Sequence, residues 1–572
     1  MLGGEIVVEM LRLYNVTKVF GVPGDTSMAL YDAMQRARWL EHVMCRDERS
    51  AGYMADAYAR VSGMPGVCEV PSGGGVTYVA SAAAEADGSS IPLVILSSDV
   101  PVSSDEHSAL TALDQVALMR PITRWSHRVT RPEALPSMLR KAFRTATGGR
   151  TGATHLAFPE NVLSAEVRQD VSGDLYGEPE CHQYPAFRTR PDPRQVERAM
   201  DVLMKAARPV VVAGGGVLLS QAWEQLETLA GLLSAPVATT VNGKGSFPEI
   251  SPLALGVMGT NGAVQAANAA VSQADVLLCV GTRLNASITI GKALIDPLAK
   301  VIQVDVDPIQ LGNNVRVEVP ILGDARLALE DLAEAARARM KASTGASRCW
   351  AAALDREPAF LPLAVPKGIM DPREVIGVLA QTLPAETILV LDAGTPTPYV
   401  MAHYRLKSAG RRILVPRAQG SLGYALGATL GAKMARPSST VVGLFGDGSL
   451  GMTLGEMETL SRLGLPVICV HFNNGCFGWI KALQRLYYGE RYFSVDFSRG
   501  VDYVAVARDH GLDAMKAHDR ESLRGAVKRG MESGRPTFIE VCTPSAAEQT
   551  PPVAQWLADE TLPPGQRRRS SY

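Results

Sequence analysis

The sequence predicts an α/β protein built from three doubly wound parallel-sheet domains. Short apolar runs rich in Val, Ile and Leu alternate along the chain with longer, Ala-rich stretches of helical character. Runs that are apolar at nearly every position are typical of parallel strands, because helices cover both faces of such a sheet. The 572 residues are also enough for about three or four domains, each with its own core.

Seven apolar runs are predicted strands, at residues 92–96, 209–213, 275–280, 300–304, 387–391, 440–445 and 466–470. Helices are predicted at residues 50–62, near 327–340 and from about 449 to 463. Residues 1–13 carry Glu5 and Glu9 inside an apolar stretch, which indicates an amphipathic first helix and not a signal peptide.

Two polar, Pro-containing stretches, 167–194 and 341–372, divide the chain into three blocks of similar size. These are the N-terminal block (about 1–165), the central block (190–340) and the C-terminal block (370–545). The remaining tail, 546–572, is rich in Pro near its start and ends with three arginines before Ser-Ser-Tyr. The tail is either a solvated terminus or a lid over an active site.

Composition and charge exclude several classes of function. Lys and Arg number 57 against 58 Asp and Glu, a balance that argues against a nucleic-acid binder. No apolar run approaches the ~20 residues that cross a bilayer. The eight cysteines are scattered and form no CxxC pair, which favours a reducing cytoplasm over a disulfide framework or a zinc site. We therefore expect a cytoplasmic enzyme that acts on small molecules.

The strongest chemical signal lies in the C-terminal block, where two predicted strands end in polar residues. Asp447 follows the strand at 440–445, and Asn474 follows the next strand. If these strands are parallel neighbours, both side chains point into the crevice where open α/β sheets bind ligands. A carboxylate and an amide oxygen suit Mg²⁺, which completes its octahedron with water and phosphate oxygens.

The residues around Asp447 predict a phosphate at the same place. Gly446 and Gly448 flank Asp447 and let the backbone approach an anion. A helix that starts near Ser449 would turn its positive end toward that anion. We therefore interpret this segment as an anchor for Mg²⁺ and a diphosphate.

This segment, Gly446-Asp447-Gly448 followed by Asn473-Asn474, resembles the thiamine-diphosphate motif of the decarboxylase and acetolactate-synthase superfamily. The resemblance implies that Asp447, Asn474 and the main-chain carbonyl of Cys476 hold Mg²⁺.

The N-terminal block carries a second resemblance to this family. Arg46-Asp47-Glu48 precedes a predicted helix, and a triple glycine that begins at Gly73 and Gly74 follows it. The family has a glutamate where Glu48 stands, so the resemblance implies that Glu48 binds N1′ of the aminopyrimidine ring. Such general acid–base work needs a buried carboxylate, with a raised pKa, that shares a proton with the ring.

A third match is the segment GSLGYALG at residues 420–427. It resembles the family segment that touches the aminopyrimidine through the backbone of Gly420 and Leu422, with the Leu422 side chain as a wedge under the cofactor. Gly394 and Thr395 follow the strand at 387–391 and would help to hold the diphosphate.

The resemblance extends from about Val19 to Val541 and implies pyrimidine-binding, central and diphosphate-binding domains. It also implies a homodimer or homotetramer with active sites between subunits. In the central block, residues 281–283 and 304–308 resemble stretches that bind FAD in acetolactate synthases. In relatives without FAD this domain holds ADP or coenzyme A, or is structural.

The resemblance places five residues in the substrate pocket: Thr111, Trp479, Leu483, Gln484 and Tyr488. Three positions depart from acetolactate synthases: Thr111 replaces a glutamine, Leu483 a tryptophan, and Asp47 the usual histidine. These departures favour a relative that uses another donor or acceptor.

The leading hypothesis is thus an acetolactate-synthase-like decarboxylase or carboligase of 2-oxo acids that depends on thiamine diphosphate and Mg²⁺. One alternative is a 2-hydroxyacyl-CoA lyase that gives formyl-CoA and a ketone or aldehyde, which the basic tail favours. The other is a non-catalytic protein that binds thiamine diphosphate, which the combination of Glu48, Asp447 and Asn474 opposes.

Overall fold

A computed structural model describes residues 1–572 except positions 106, 168–169, 263, 341–348, 358–364, 498–499 and 570–572. The stretch expected to link the blocks at 341–372, and the end of the tail, lie partly outside the described residues. Within the described part, each block contains one six-stranded sheet, with helices between most successive strands.

The described elements of the N-terminal block are, in chain order, α1 (Gly3–Leu13), β1 (Lys18–Gly21), α2 (Met28–Arg36), β2 (Glu41–Met44), α3 (Glu48–Ser62), β3 (Gly66–Val70), α4 (Gly74–Gly88), β4 (Leu93–Asp99), α5 (Gln115–Met119), β5 (Trp125–Arg128), α6 (Leu135–Thr147), β6 (Ala153–Pro159) and α7 (Glu160–Ser164).

Those of the central block are α8 (Pro193–Leu203), β7 (Pro209–Ala213), α9 (Gly215–Leu219), α10 (Trp223–Leu233), β8 (Val237–Thr239), β9 (Ala254–Val257), α11 (Gln265–Gln273), β10 (Val276–Val280), α12 (Ala286–Thr289), β11 (Lys300–Asp305), β12 (Val319–Leu322) and α13 (Ala325–Met340).

Those of the C-terminal block and tail are α14 (Pro372–Thr382), β13 (Ile388–Leu391), α15 (Pro396–His403), β14 (Ile413–Leu414), α16 (Tyr424–Ala435), β15 (Val441–Gly446), α17 (Asp447–Thr453), α18 (Glu456–Leu463), β16 (Ile468–Asn473), α19 (Gly478–Tyr487), α20 (Tyr503–Asp509), β17 (Asp513–Ala517), α21 (Arg520–Glu532), β18 (Thr537–Cys542) and, in the tail, α22 (Ala554–Glu560).

The predicted fold class is confirmed, since all paired strands in the three sheets are parallel. The N-terminal and C-terminal sheets share one topology, with orders β2-β1-β3-β4-β6-β5 and β14-β13-β15-β16-β18-β17. The central sheet differs, with the order β12-β11-β10-β7-β8-β9. In each outer sheet the strand order reverses between the first and third strands, which is where such sheets bind ligands.

The helix predicted from 449 to 463 is two helices. α17 begins at Asp447 and ends at Thr453, and α18 starts at Glu456 after a break at Leu454 and Gly455. α17 therefore has only 7 residues, so an anion near Ser449 would meet a short helix with few aligned peptide dipoles.

The described residues between 167 and 192 are irregular but do not form a free linker. Val167, Val171 and Cys181 are buried in the core of the N-terminal block. These apolar residues thus extend that core, which the polar composition of the stretch conceals.

The two outer blocks pack against each other through α3 and α16. The α-carbons approach closely because Gly431 faces α3, where a Cβ would lie 2.0 Å from the carbonyl oxygen of Met54. The hydroxyl of Tyr424 donates to Asp56 at 2.8 Å, and Arg60 donates to the same carboxylate at 2.6 Å. These contacts fix the helices that follow the second strand of each outer sheet.

In the part of the chain that the structure describes, no helix combines the length and apolar character needed to cross a membrane. All eight cysteines are free, and six of them are buried.

Candidate active site

The polar residues after β15 and β16 meet at one edge of the C-terminal sheet, because these strands are paired and parallel. Asp447 is the first residue of α17, and Asn474 follows β16 directly. A cavity of about 690 Å³ opens beside them. The predicted crevice therefore exists, and both residues line it.

The turn after β16 holds the carboxylate of Asp447 in place. Its Oδ2 accepts the backbone N–H groups of Asn474 at 2.8 Å and Gly475 at 3.2 Å. Its Oδ1 lies 3.3 Å from Nε2 of His471, which is fully buried. The side-chain oxygen of Asn474 accepts the N–H of Cys476 at 3.2 Å. The three predicted metal ligands thus belong to one compact turn.

Glycines around this turn are required by packing more than by a ligand. A Cβ on Gly448 would lie 2.5 Å from the ring of Phe477, whereas one on Gly446 would meet nothing closer than 3.9 Å. A Cβ on Gly478 would lie 2.8 Å from Oγ1 of Thr395. Because Gly448 and Gly478 have no side chains, α17, α19 and the segment after β13 can pack closely around the cavity.

The buried carboxylate of Asp392 forms hydrogen bonds with several of the segments around the cavity. It is 1% exposed, and its carboxylate accepts the N–H groups of Ala393 at 2.9 Å and Ala425 at 3.0 Å. Burial raises the pKa of Asp392 to about 7. Hydrogen bonds from its neighbours, including one from the Ser449 hydroxyl, act in the opposite direction and lower the pKa. Ser449, predicted to bind cofactor, thus lines the cavity while also contacting Asp392.

The remaining cofactor-binding candidates of the C-terminal block line the same cavity. They are Gly394, Thr395, Gly420, Leu422, Gly446 and Gly448. Gly394 and Gly420 have φ of +108° and +67°, values that favour glycine because a Cβ would be strained there.

The candidates of the N-terminal block form a second cluster. Glu48 is the first residue of α3, since Asp47 caps that helix by accepting the N–H of Arg49 at 2.8 Å. A Cβ on Gly75 would lie 3.3 Å from Oε1 of Glu48. Burial raises the pKa of the Glu48 carboxyl above its ordinary value, which favours sharing a proton.

Thr111 packs against Gly73, the first residue of the glycine turn at 73–75 that also contacts Glu48. A Cβ on Gly73 would lie 2.9 Å from Cβ of Thr111, and Thr111 bonds Ser72 through the two hydroxyls at 2.8 Å. Gly74 starts α4 and is open, with nothing but Tyr78 at 4.0 Å from its Cβ position.

The N-terminal cluster does not line the cavity beside Asp447. Among the described residues, those that line the 690 Å³ cavity come from the central block, beginning at Thr240, and from the C-terminal block. Glu48, Gly73, Gly74 and Thr111 are not among them.

The predicted substrate residues after Asn474 have different surroundings. Trp479 lines the cavity, and its ring lies 4.3 Å from that of Trp556 in the tail. Leu483 is 7% exposed and packs in a cluster with Trp556. The Gln484 side chain binds the backbone of Phe493, and Tyr488 is exposed. The tail therefore covers one face of α19, where Arg485 and Glu560 also form an ion pair of 2.7 Å.

A second cavity of about 320 Å³ lies where the three blocks meet. Gly281, Thr282 and Arg283 line it, as do residues 304–306. Arg283 donates to the carbonyl oxygen of Gly88 at 2.7 Å and to the Ser90 hydroxyl at 2.9 Å. Residues 417–419 line both cavities, so the two are adjacent.

Sequence reasoning missed His471, Asp392 as a buried hub, and Phe477. Asp392 begins the segment Asp392-Ala-Gly394-Thr395, whose predicted role is only to help hold the diphosphate. The roles of all three residues depend on contacts that form only when distant segments pack. The buried apolar character of β16 could have drawn attention to His471 as its one histidine.

Family models and relatives agree with this geometry. Three models match: "Thiamine pyrophosphate enzyme, N-terminal TPP binding domain" at residues 1–118, the central domain at 196–332, and the C-terminal TPP binding domain at 392–541. A probable acetolactate synthase large subunit of Methanocaldococcus jannaschii is 33% identical, over 95% of this chain and 92% of that protein.

Two bacterial relatives show the same pattern. The acetolactate synthase large subunit of Parasynechococcus marenigrum is 32% identical, over 94% of this chain and 87% of that protein. The large subunit of acetolactate synthase isozyme 3 of Escherichia coli is 31% identical, over 94% of each chain. With all three domains matched, the chain belongs to the thiamine pyrophosphate enzymes, in the family of the acetolactate synthase large subunits.

Proposed function

We propose that the protein is a carboligase of 2-oxo acids that uses thiamine diphosphate and Mg²⁺, with acetolactate-type C–C bond formation as its reaction. The observation that carries this proposal is the turn that presents Asp447, Asn474 and Cys476 to one cavity. Bound thiamine diphosphate would supply a nucleophilic carbon and an electron sink, and the protein would supply position and electrostatics.

The donor set fits Mg²⁺. The carboxylate of Asp447 and the side-chain oxygen of Asn474 are hard oxygen ligands that lie beside a cavity able to admit diphosphate oxygens and water. Asp447 keeps its orientation through two backbone N–H groups, so these residues would bind the ion without rearranging.

Glu48 would hold a proton at the aminopyrimidine ring. Its pKa is raised, mainly by burial, and this favours a carboxyl that shares a proton with the ring. Oε1 of Glu48 lies beside the glycine turn at 73–75, where a Cβ on Gly75 would be 3.3 Å from it.

A second copy of the chain would complete each site. The Glu48 cluster and the Asp447 cavity are separate within one chain, and the apolar side chain of Leu110, beside Thr111, is 87% exposed. A homodimer that brings the N-terminal half-site of one copy to the C-terminal half-site of the other would join them.

The 320 Å³ cavity would hold a nucleotide-containing cofactor such as FAD, ADP or coenzyme A. It combines the glycines at 215–216 with Arg150, Arg283 and Arg411, cations that suit phosphate oxygens. The acyl-CoA lyase alternative gains no support from the tail, because the described residues that line this cavity do not include Arg567, Arg568 or Arg569.

The experiment is a product assay by mass spectrometry. The purified protein, with thiamine diphosphate and Mg²⁺, receives pyruvate in one tube and a short 2-hydroxyacyl-CoA in another. Acetolactate from the first tube alone is the expected result. Formyl-CoA from the second tube alone would instead identify an acyl-CoA lyase. The Glu48→Gln variant, purified in the same way, is the matched control and should form far less product.

A further inference from the structure

The outer blocks hold one another by a matched pair of buried carboxylates. In each block the second strand leads through a loop to the helix at the block interface, α3 or α16. In each block the third strand leads to helices that carry a buried glutamate, Glu85 on α4 and Glu456 on α18. Because the two sheets share one strand order, both glutamates lie in the connection that follows the third strand, Glu85 near the end of α4 and Glu456 at the start of α18.

Glu85 reaches from the N-terminal block into the C-terminal block. It is 0% exposed, and its two oxygens accept the backbone N–H groups of Ala418 at 3.1 Å and Gln419 at 2.8 Å. The Ser89 hydroxyl also donates to it, at 2.7 Å. The next residue along the chain is Gly420, which lines the 690 Å³ cavity.

Glu456 makes the reverse contact. It is 1% exposed, and its Oε1 accepts the backbone N–H of Arg46 at 3.0 Å. Its Oε2 accepts the Thr459 hydroxyl at 2.7 Å. Arg46 stands two residues before Glu48, so Glu456 fixes the loop that leads to the candidate acid–base residue.

Both contacts are more than incidental packing. A buried carboxylate is unfavourable unless hydrogen bonds replace its water, and here main-chain N–H groups of the other block supply them. Arg60 lies 3.7 Å from Glu85 and is itself bonded to Asp56. The Glu85 contact thus belongs to the polar network between α3 and α16.

We propose that Glu85 and Glu456 are reciprocal positioning residues. Glu85 holds the segment that carries Gly420 and Leu422, and Glu456 holds the segment that carries Glu48. Each block thereby sets the place of the other block's cofactor-contacting residues. The assignment of these contacts rests on the proposed function, whereas the hydrogen bonds themselves do not.

The two variants should have different effects. In Glu85→Gln an NH₂ group replaces one of the two carboxylate oxygens. It cannot accept the backbone N–H that this oxygen accepted, so the 418–419 loop loses one hydrogen bond. Affinity for thiamine diphosphate should fall about 10-fold, as for one buried charged hydrogen bond. In Glu456→Gln the hydrogen bond that is weakened is the one to the backbone N–H of Arg46, in the loop that leads to Glu48. The rate of proton exchange at C2 of bound thiamine diphosphate should fall about 10-fold, with affinity changed less.

The measurement combines hydrogen–deuterium exchange of the backbone, binding of thiamine diphosphate with Mg²⁺, and NMR of the C2 proton. Glu85→Gln should speed amide exchange in peptides that contain 418–419 and leave those around 46 unchanged. Glu456→Gln should do the opposite. Asp371→Asn is the matched control, because it removes a buried charge that is bonded to Arg373 and Gln549 and to neither segment.

Unchanged amide exchange in both segments would overturn the proposal, as would equal effects in the control. If a Gln variant does not fold, the shorter Glu85→Asp and Glu456→Asp replace it, with the same local exchange expected at smaller size. If the unmodified protein binds no thiamine diphosphate, the proposed function fails, and amide exchange still decides whether the two glutamates hold their segments.

Discussion

The N-terminal and C-terminal blocks have the same strand order but carry different functional groups at the ends of corresponding strands. After the third strand, the N-terminal block has the glycine turn at 73–75, and the C-terminal block has Asp447. After the second strand, one block presents Glu48 and the other presents Leu422. The shared topology decides where a ligand can sit, and the residues at the strand ends decide which part of a ligand each block can hold.

The two blocks therefore have different proposed roles. In the proposed function, the Glu48 carboxyl of the N-terminal block, whose pKa is raised, would transfer a proton, and the cavity of the C-terminal block would hold the metal and the diphosphate. Substitutions in corresponding places should therefore affect different steps.

The largest effect is expected from Glu48→Gln. Removing general acid–base catalysis should lower turnover by about 10² to 10⁴-fold, while binding of thiamine diphosphate and Mg²⁺ changes little. Steady-state kinetics and calorimetry would measure the two separately. Full activity in this variant would contradict the assignment of proton transfer to the N-terminal block.

Asp447→Ala should have the reverse pattern. A missing metal ligand should weaken Mg²⁺-dependent binding of thiamine diphosphate by more than the roughly 10 to 100-fold seen for outer-shell partners of metals. Titration of the apo-protein with Mg²⁺ at fixed cofactor gives the affinity. Normal affinity would remove the metal site from the C-terminal block.

Paired glycine variants compare the same turn in the two blocks. Gly448→Ala, with its Cβ 2.5 Å from an aromatic ring, should cost about 1–3 kcal/mol of stability, and Gly446→Ala, open to 3.9 Å, much less. Gly73→Ala, at φ +65° and 2.9 Å from Thr111, should destabilise more than Gly74→Ala. Thermal unfolding without cofactor measures both pairs, and equal midpoints within a pair would show that the turn relaxes.

A further prediction concerns pH and a buried carboxyl of the N-terminal block. Glu69 is fully buried, and its Oε2 accepts the Tyr31 hydroxyl at 2.7 Å. Burial raises the pKa of Glu69 to about 8 from 4.5. Between these pH values the folded chain keeps a proton that the unfolded chain has lost, so stability falls as the pH rises and levels off above about 8.

Glu69→Gln should remove that slope, by at most about 1.4 kcal/mol per pH unit. The unfolding midpoints of both proteins between about pH 5 and pH 8 give the difference. An identical slope in the two proteins would mean that Glu69 is ionised in the folded state, and that the N-terminal block does not favour protonated carboxyls.

The sequence predicted the fold class and the proximity of Asp447 and Asn474, because both depend on local pattern. All seven predicted strands are present in the structure, and Asp447 and Asn474 meet because their strands are neighbours. The failures have one cause. The break at Gly455 and the buried residues of 167–194 depend on packing against other segments, which no local pattern records.

By itself the sequence determined which residue types stand at the ends of which strands, since strand and turn propensities act over a few residues. Only the tertiary structure decided which of those ends face each other. It separated Glu48 from Asp447 within one chain, covered Leu483 with the tail, and turned Glu85 and Glu456 toward the opposite block. These outcomes depend on how α3 packs on α16, and that packing brings together residues more than 300 positions apart.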